Sequence, residues 1–69
     1  MLNKTIKYFR TSHKMTQETL ALKLGVTRQT VSKWENGISV PDADTLNKIA
    51  DIFDVSVIDL LGSSELLDE

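Results

Sequence analysis

Residues 16–37 read TQETLALKLGVTRQTVSKWENG, and their order describes two short helices joined by a tight glycine turn. Thr16 is placed to cap the first, which runs to Leu24. Gly25 then supplies the positive φ that ends a helix at little steric cost. Thr27 restarts the chain as a second N-cap, and the next helix runs to Asn36, where Gly37 stops it. Two capped helices so close together match a helix-turn-helix, whose second helix is shaped to enter the major groove of DNA.

The faces of that second helix differ in chemistry. At about 100° per residue, Val31, Trp34, Glu35 and Ile38 fall on one inward sector. Gln29, Ser32, Lys33 and Asn36 project from the other side, with Arg28 at the exposed first turn. Arg or Lys can reach guanine O6 and N7, and Gln or Asn can pair with adenine through two hydrogen bonds. Most polar helix faces are only solvated. Here the stretch from Thr27 to Trp34 contains no acid, and a helix and turn precede it, which favours recognition of double-stranded DNA.

Composition bounds the alternatives. The chain has 69 residues, enough for one small domain close to the lower limit for a core without disulfides. It contains no cysteine, so neither a disulfide framework nor a thiolate metal site is expected. No apolar run approaches the roughly 20 residues of a membrane span and no signal-peptide pattern opens the chain, so the expected place is the cytoplasm. The net charge of −2 argues at first against nucleic acid, but its distribution does not. Residues 1–40 carry seven basic and two acidic side chains, +5, whereas residues 41–69 carry Lys48 and eight acids, −7. Such asymmetry suits one half to phosphates and turns the other away.

Outward from the central motif, the pattern predicts five helices and an all-α fold. Leu2, Ile6 and Phe9 mark a first amphipathic helix over about residues 2–12. Leu20, Ala21 and Leu24 make the apolar stripe of the second, with Leu22 off it, as Tyr8 is off the stripe of the first. Asp42 or Asp44 caps a fourth helix whose Leu46, Ile49, Ala50 and Phe53 share one face. Ser56 and Asp59 form a capping-box-like pair at the start of a fifth, with Val57, Leu60 and Leu61 turned inward and Gly62 at its end. Residues 63–69, SSELLDE, form an acidic tail with no further structural signal, in which Leu66 and Leu67 either serve a partner or fray.

Taken together, Thr16-Gln17, Leu20-Ala21, Gly25-Val26, Val31-Ser32, Trp34-Glu35-Asn36-Gly37 and Pro41 resemble the phage-repressor/Cro-like, XRE-type helix-turn-helix family. The likeness covers roughly residues 4–62 and implies a compact five-helix, lambda-repressor-like domain over residues 1–62. It also implies a homodimer on a pseudo-palindromic operator, acting as a transcriptional regulator and most simply a repressor. Position by position, it gives Gln17 a phosphate at the start of the second helix, where backbone amides also attract anions. Thr27, Arg28, Gln29 and Lys33 match positions that read base edges or nearby phosphates, and Asn36 matches a phosphate contact. Arg10 and Glu35 match a buried ion pair tying the first helix to the third. Residues 38–42, ISVPD, depart from the pattern, because many relatives carry Lys or Arg there for phosphates. Fewer neutralised phosphates mean weaker non-specific binding and a shallower salt dependence.

Other chemistries find little support. His13 is the lone histidine and lies in a linker, without partners at metal-ligand or catalytic spacing. The acids of the second half lack the glycine and terminal glutamate of a calcium loop. No nucleophile–base pair or phosphate-cradling glycine loop appears, so no enzyme, cofactor or small-molecule ligand is expected. Trp34 reads as a core anchor. The alternative function is an antitoxin-type protein-interaction module that uses its helix-turn-helix only for autoregulation, which the acidic second half and the Leu66-Leu67 tail would suit.

Overall fold

Thr16 and Thr27 are where the helices of the central motif begin, and each caps in the way its residue type dictates. In a computed structural model that describes residues 2–62, α1 spans Leu2–Ser12, α2 Gln17–Leu24, α3 Arg28–Glu35, α4 Ala43–Phe53 and α5 Val57–Gly62. The Thr16 hydroxyl accepts from Thr19 N–H and the Thr27 hydroxyl from Thr30 N–H, at 3.0 and 3.2 Å. Asp42 caps α4 by accepting from Thr45 N–H at 2.8 Å. Ser56 and Asp59 form the reciprocal box at the start of α5, with bonds of 3.0 and 3.4 Å. Each cap satisfies a donor that the helix itself cannot.

The ends of α1 to α4 share one device. A residue just past the helix end takes a left-handed conformation, and the next N–H bonds back to a carbonyl five residues earlier: Met15 to Arg10, Val26 to Ala21, Ile38 to Lys33 and Val55 to Ala50. This is the Schellman motif. Gly25 and Gly37 hold the left-handed position at φ 73° and 74°. A Cβ added to Gly37 would lie 3.6 Å from Asn3 Nδ2, an ordinary contact, so the backbone angle rather than crowding selects glycine there. Lys14 and Asp54 adopt the same conformation at φ 59° and 58° without that freedom, at a cost of about 1–2 kcal/mol each.

The core gathers Ile6 of α1, Leu20, Ala21 and Leu24 of α2, Val31 and Trp34 of α3, Ile49, Ala50 and Phe53 of α4 and Leu60 of α5. The α2 and α3 helices pack on each other, α1 lies against α3 and α5, and α4 against α2 and α5. Phe9 stacks on Phe53 at 6.0 Å between ring centroids, joining α1 to α4. The His13 ring leans on Phe53 as well, with Nδ1 2.8 Å from the Phe9 carbonyl oxygen. Thr5 and Pro41 are buried too, which hydrophobic periodicity alone does not signal.

Two inward assignments are corrected. Ile38 is 70% exposed, because α3 stops at Glu35 and the chain leaves the helical phase that placed Ile38 beside Trp34. Leu61 is 49% exposed: α5 is short and turns Leu60 to the core, with Val57 packed beside it and Leu61 outside. Tyr8 and Leu22 are exposed, as their positions off the apolar stripes indicate. The acidic tail and its Leu66-Leu67 pair lie outside the described residues.

The Asp42 cap gives α4 a pH dependence. Hydrogen bonding from Thr45, with a smaller contribution from Lys48, holds the carboxyl below its ordinary value of 3.8. A depressed folded-state pKa means that the cap's contribution is fully present above that ordinary value and lost as pH falls through the lowered one. Asp42→Asn is expected to flatten this part of the stability profile. Thermal midpoints of both chains, recorded across the acid range, check it; parallel profiles would assign the acid sensitivity elsewhere.

Candidate nucleic-acid interface

The short α3 helix is steady enough to present a chemical surface because one side of it is locked to the core. Val31 and Trp34 are buried, and Glu35 at its last turn is held from α1. The Arg10 guanidinium donates from Nε to Glu35 Oε2 at 2.6 Å and from Nη2 to Oε1 at 3.0 Å. The side chains are only 10% and 3% exposed. The third donor group, Nη1, reaches the Met15 carbonyl at 2.7 Å, so the turn before α2 is tied into the same knot. A planar guanidinium is suited to this fork-like grip on a carboxylate.

On the opposite side, Arg28, Gln29, Lys33 and Asn36 are exposed, with Ser32 half-buried among them. Asn36 donates to the Ser32 hydroxyl at 3.3 Å, which leaves Gln29 and Lys33 as the least encumbered polar groups of the face. The Thr27 hydroxyl is shared between the Thr30 N–H and the Thr30 hydroxyl, so its main work is to start the helix. Gln17 occupies the first turn of α2, half-buried beside α3. Its Nε2 donates to Glu35 Oε1 at 3.0 Å and its Oε1 accepts from Arg28 Nη1 at 3.4 Å. The candidate residues are therefore brought together on one side of α3 and the start of α2. Sequence reasoning missed the double engagement of Gln17. No local pattern in the sequence signals it, because its partners lie 18 and 11 residues away.

Charge is distributed in keeping with such a face. Lys4, Lys7, Lys14, Lys23, Arg28 and Lys33 are exposed, and so are Asp42, Asp44, Asp51, Asp54 and Asp59 of the second half. The link from Ile38 to Asp42 adds no cation, and Ile38 and Val40 stand exposed on it. No helix among the described residues is long and apolar enough to cross a membrane.

A family model described as helix-turn-helix matches residues 6–60. The chain belongs to this helix-turn-helix family. It is 38% identical over 65 residues to the HTH-type transcriptional activator BcrR of Enterococcus faecalis, covering 94% of this chain and 32% of that protein. It is 34% identical over 67 residues to the antitoxin PezA of Streptococcus pneumoniae, covering 97% of this chain and 42% of that protein. The chain thus spans well under half the length of these two relatives. Among solved structures it is similar to that of the SOS-response transcriptional repressor LexA from Eubacterium rectale. The TM-score is 0.87 at 25% identity, over 99% of this chain and 72% of that one. The all-α, five-helix fold expected from the residues is the fold that this likeness shows.

Proposed function

We propose that this chain is a transcriptional regulator that binds a specific sequence in double-stranded DNA, inserting α3 into the major groove. The observation that carries the proposal is the row of exposed Arg28, Gln29, Lys33 and Asn36 on a helix clamped from behind by the Arg10–Glu35 pair. Arg28, Gln29 and Lys33 read base edges. Thr27, Ser32 and Asn36 border the groove, where the backbone phosphates run, and the amides at the start of α2 add attraction for an anion. Residues 1–62 make up the DNA-binding unit, with residues 63–69 as an acidic extension.

Occupying an operator is sufficient to block transcription, so repression is the mode proposed. The paired working species is a homodimer. A single helix of this length reads only a few base pairs, and the cation-free segment 38–42 gives a lone protomer little phosphate contact to compensate. The relation to the antitoxin PezA favours one second reading, in which the chain neutralises a protein partner and binds DNA to regulate its own synthesis. A stoichiometric protein that co-purifies with the chain expressed in its own genomic context would identify that case.

Selection of bound DNA from a random duplex pool tests the first reading. Replacing Gln29 by alanine is then expected to cost about 1–3 kcal/mol of binding and to relax the preference at one base pair. Anisotropy titrations against the selected site and its single-base variants measure both. An equal loss on every sequence would move Gln29 to the backbone, and no sequence-dependent binding at low salt would end the proposal.

A further inference from the structure

We propose that Asn36 is a modification site: its side-chain amide is hydrolysed through a cyclic imide with Gly37, and a local opening at the end of α3 sets the rate. The consequence drawn for DNA binding rests on the reading above. Asn36 is exposed, and of the three asparagines, Asn3, Asn36 and Asn47, it alone precedes a glycine. Glycine has no Cβ to shield its backbone nitrogen from the carbonyl carbon of the preceding side chain. That nitrogen gives up its proton to a base from solvent and attacks Cγ of Asn36. The Cγ–Nδ2 bond breaks and ammonia leaves. Water then opens the imide at Cγ to give aspartate, or at the main-chain carbonyl to give isoaspartate. One water enters, one ammonia departs and nothing is oxidised.

In the closed turn this reaction is blocked. Asn36 has ψ 2°, which eclipses the Gly37 nitrogen with the Asn36 nitrogen and turns it away from the side chain. The Gly37 N–H donates to the Trp34 carbonyl at 3.1 Å, and Asn36 Nδ2 donates to the Ser32 hydroxyl at 3.3 Å. Release of the turn is therefore the step that the fold controls. The ends of α1 to α4 share one motif, but the residues that close it differ. Met15, Val26 and Val55 pack against the core, whereas Ile38 is exposed, as is every residue from Asn36 to Val40. A Schellman turn commonly gains a hydrophobic contact at that position. Opening this one uncovers no buried apolar side chain. It gives up only hydrogen bonds that water replaces: Gly37 to Trp34, Ile38 to Lys33 at 2.9 Å and Ser39 to Lys33 at 3.4 Å. Such an element opens far more often than the whole chain unfolds. Either product puts a carboxylate where a neutral amide stood, on the side of α3 proposed to meet phosphates.

The test incubates the full chain without DNA at mildly alkaline pH and follows its tryptic peptide 34–48 by mass, with the urea-unfolded chain as reference. Fragmentation separates Asn36 from Asn47, which lies within α4 and serves as an internal control. In the folded chain Asn36 is expected to convert to aspartate and isoaspartate while Asn47 does not. Ile49→Val, in the core on α4, raises the unfolded population by roughly 2–10-fold. The rate at Asn36 is expected to be the same in that variant. A rate that rises with the unfolded population would overturn the local opening, and an Asn36 that converts only in urea would overturn the site. The converted chain and Asn36→Asp are both expected to bind the selected operator about tenfold more weakly at low salt, the effect of a like charge against the backbone, with the gap closing as salt rises. Binding equal to that of the unmodified chain would overturn the consequence for DNA. An unmodified chain with no sequence preference is a different failure, that of the DNA-binding reading itself, and the mass measurement does not depend on it.

Discussion

Replacing Glu35 by alanine is expected to destabilise the fold by about 3–5 kcal/mol, the range for breaking one partner out of a buried ion pair. The cost is set by what stays behind. Arg10 is 8% exposed overall, so without Glu35 a guanidinium is stranded beside the core with the Met15 carbonyl as its remaining acceptor. Gln17 Nε2 loses its acceptor in the same step. For a chain of this size the thermal midpoint should fall by more than about 10 °C. Chemical denaturation of the two chains at neutral pH measures the difference directly, and an unchanged midpoint would show the two side chains to be solvated and independent.

The same arithmetic separates stability from positioning. Desolvation offsets most of the Coulombic attraction of a buried pair, and apolar replacements of similar volume often restore stability. The double variant Arg10→Met with Glu35→Leu should therefore recover much of the loss while leaving α3 without its polar clamp. If the pair serves mainly to orient α3, this chain folds yet discriminates poorly between operator sequences. If it folds and discriminates like the wild type, the orienting role belongs to Val31 and Trp34.

Local chemistry made most of this architecture readable in the residues. Threonines at 16 and 27, Asp42 and the Ser56–Asp59 pair each bind a nearby backbone N–H, so their meaning depends on neighbours within a turn. Gly25 and Gly37 are legible for the same reason, since a left-handed residue after a helix is a local demand. What escaped detection depends on phase or on tertiary company. Extending the helical period beyond Glu35, where the helix stops, turns Ile38 inward, whereas it stands exposed. Lys14 and Asp54 hold left-handed conformations that their types do not announce; the packing of Met15 and Val55 on the core carries the chain through those turns. The site follows the same division. The row from Arg28 to Asn36 is a helical face and could be listed from spacing, whereas Gln17 touches residues 18 and 11 positions away and needs the fold.

Moving the two halves of the operator apart by about five base pairs, half a helical turn, is expected to lower affinity on the order of 10²–10⁴-fold, the advantage that two linked sites hold over one. The proposed dimer places its α3 helices about 34 Å apart, one turn of the duplex, so that both face the same side of the DNA. A half-turn insertion rotates one half-site to the far side, where the second protomer cannot reach it without breaking the two-fold contact. The surface proposed for that contact includes Ile58 and Leu61 of α5. They stand three residues apart on one helical face, 78% and 49% exposed, while Leu60 between them closes the core. Their exposure makes Ile58→Asp tolerable to the fold, and it should weaken operator binding as the insertion does. The combination of substitution and insertion should then cost little more than either alone, because both remove the same linkage. Equal affinity at every spacing, with one protomer in the complex by mass, would show a monomer reading a single half-site and return Ile58 and Leu61 to ordinary exposed apolar residues.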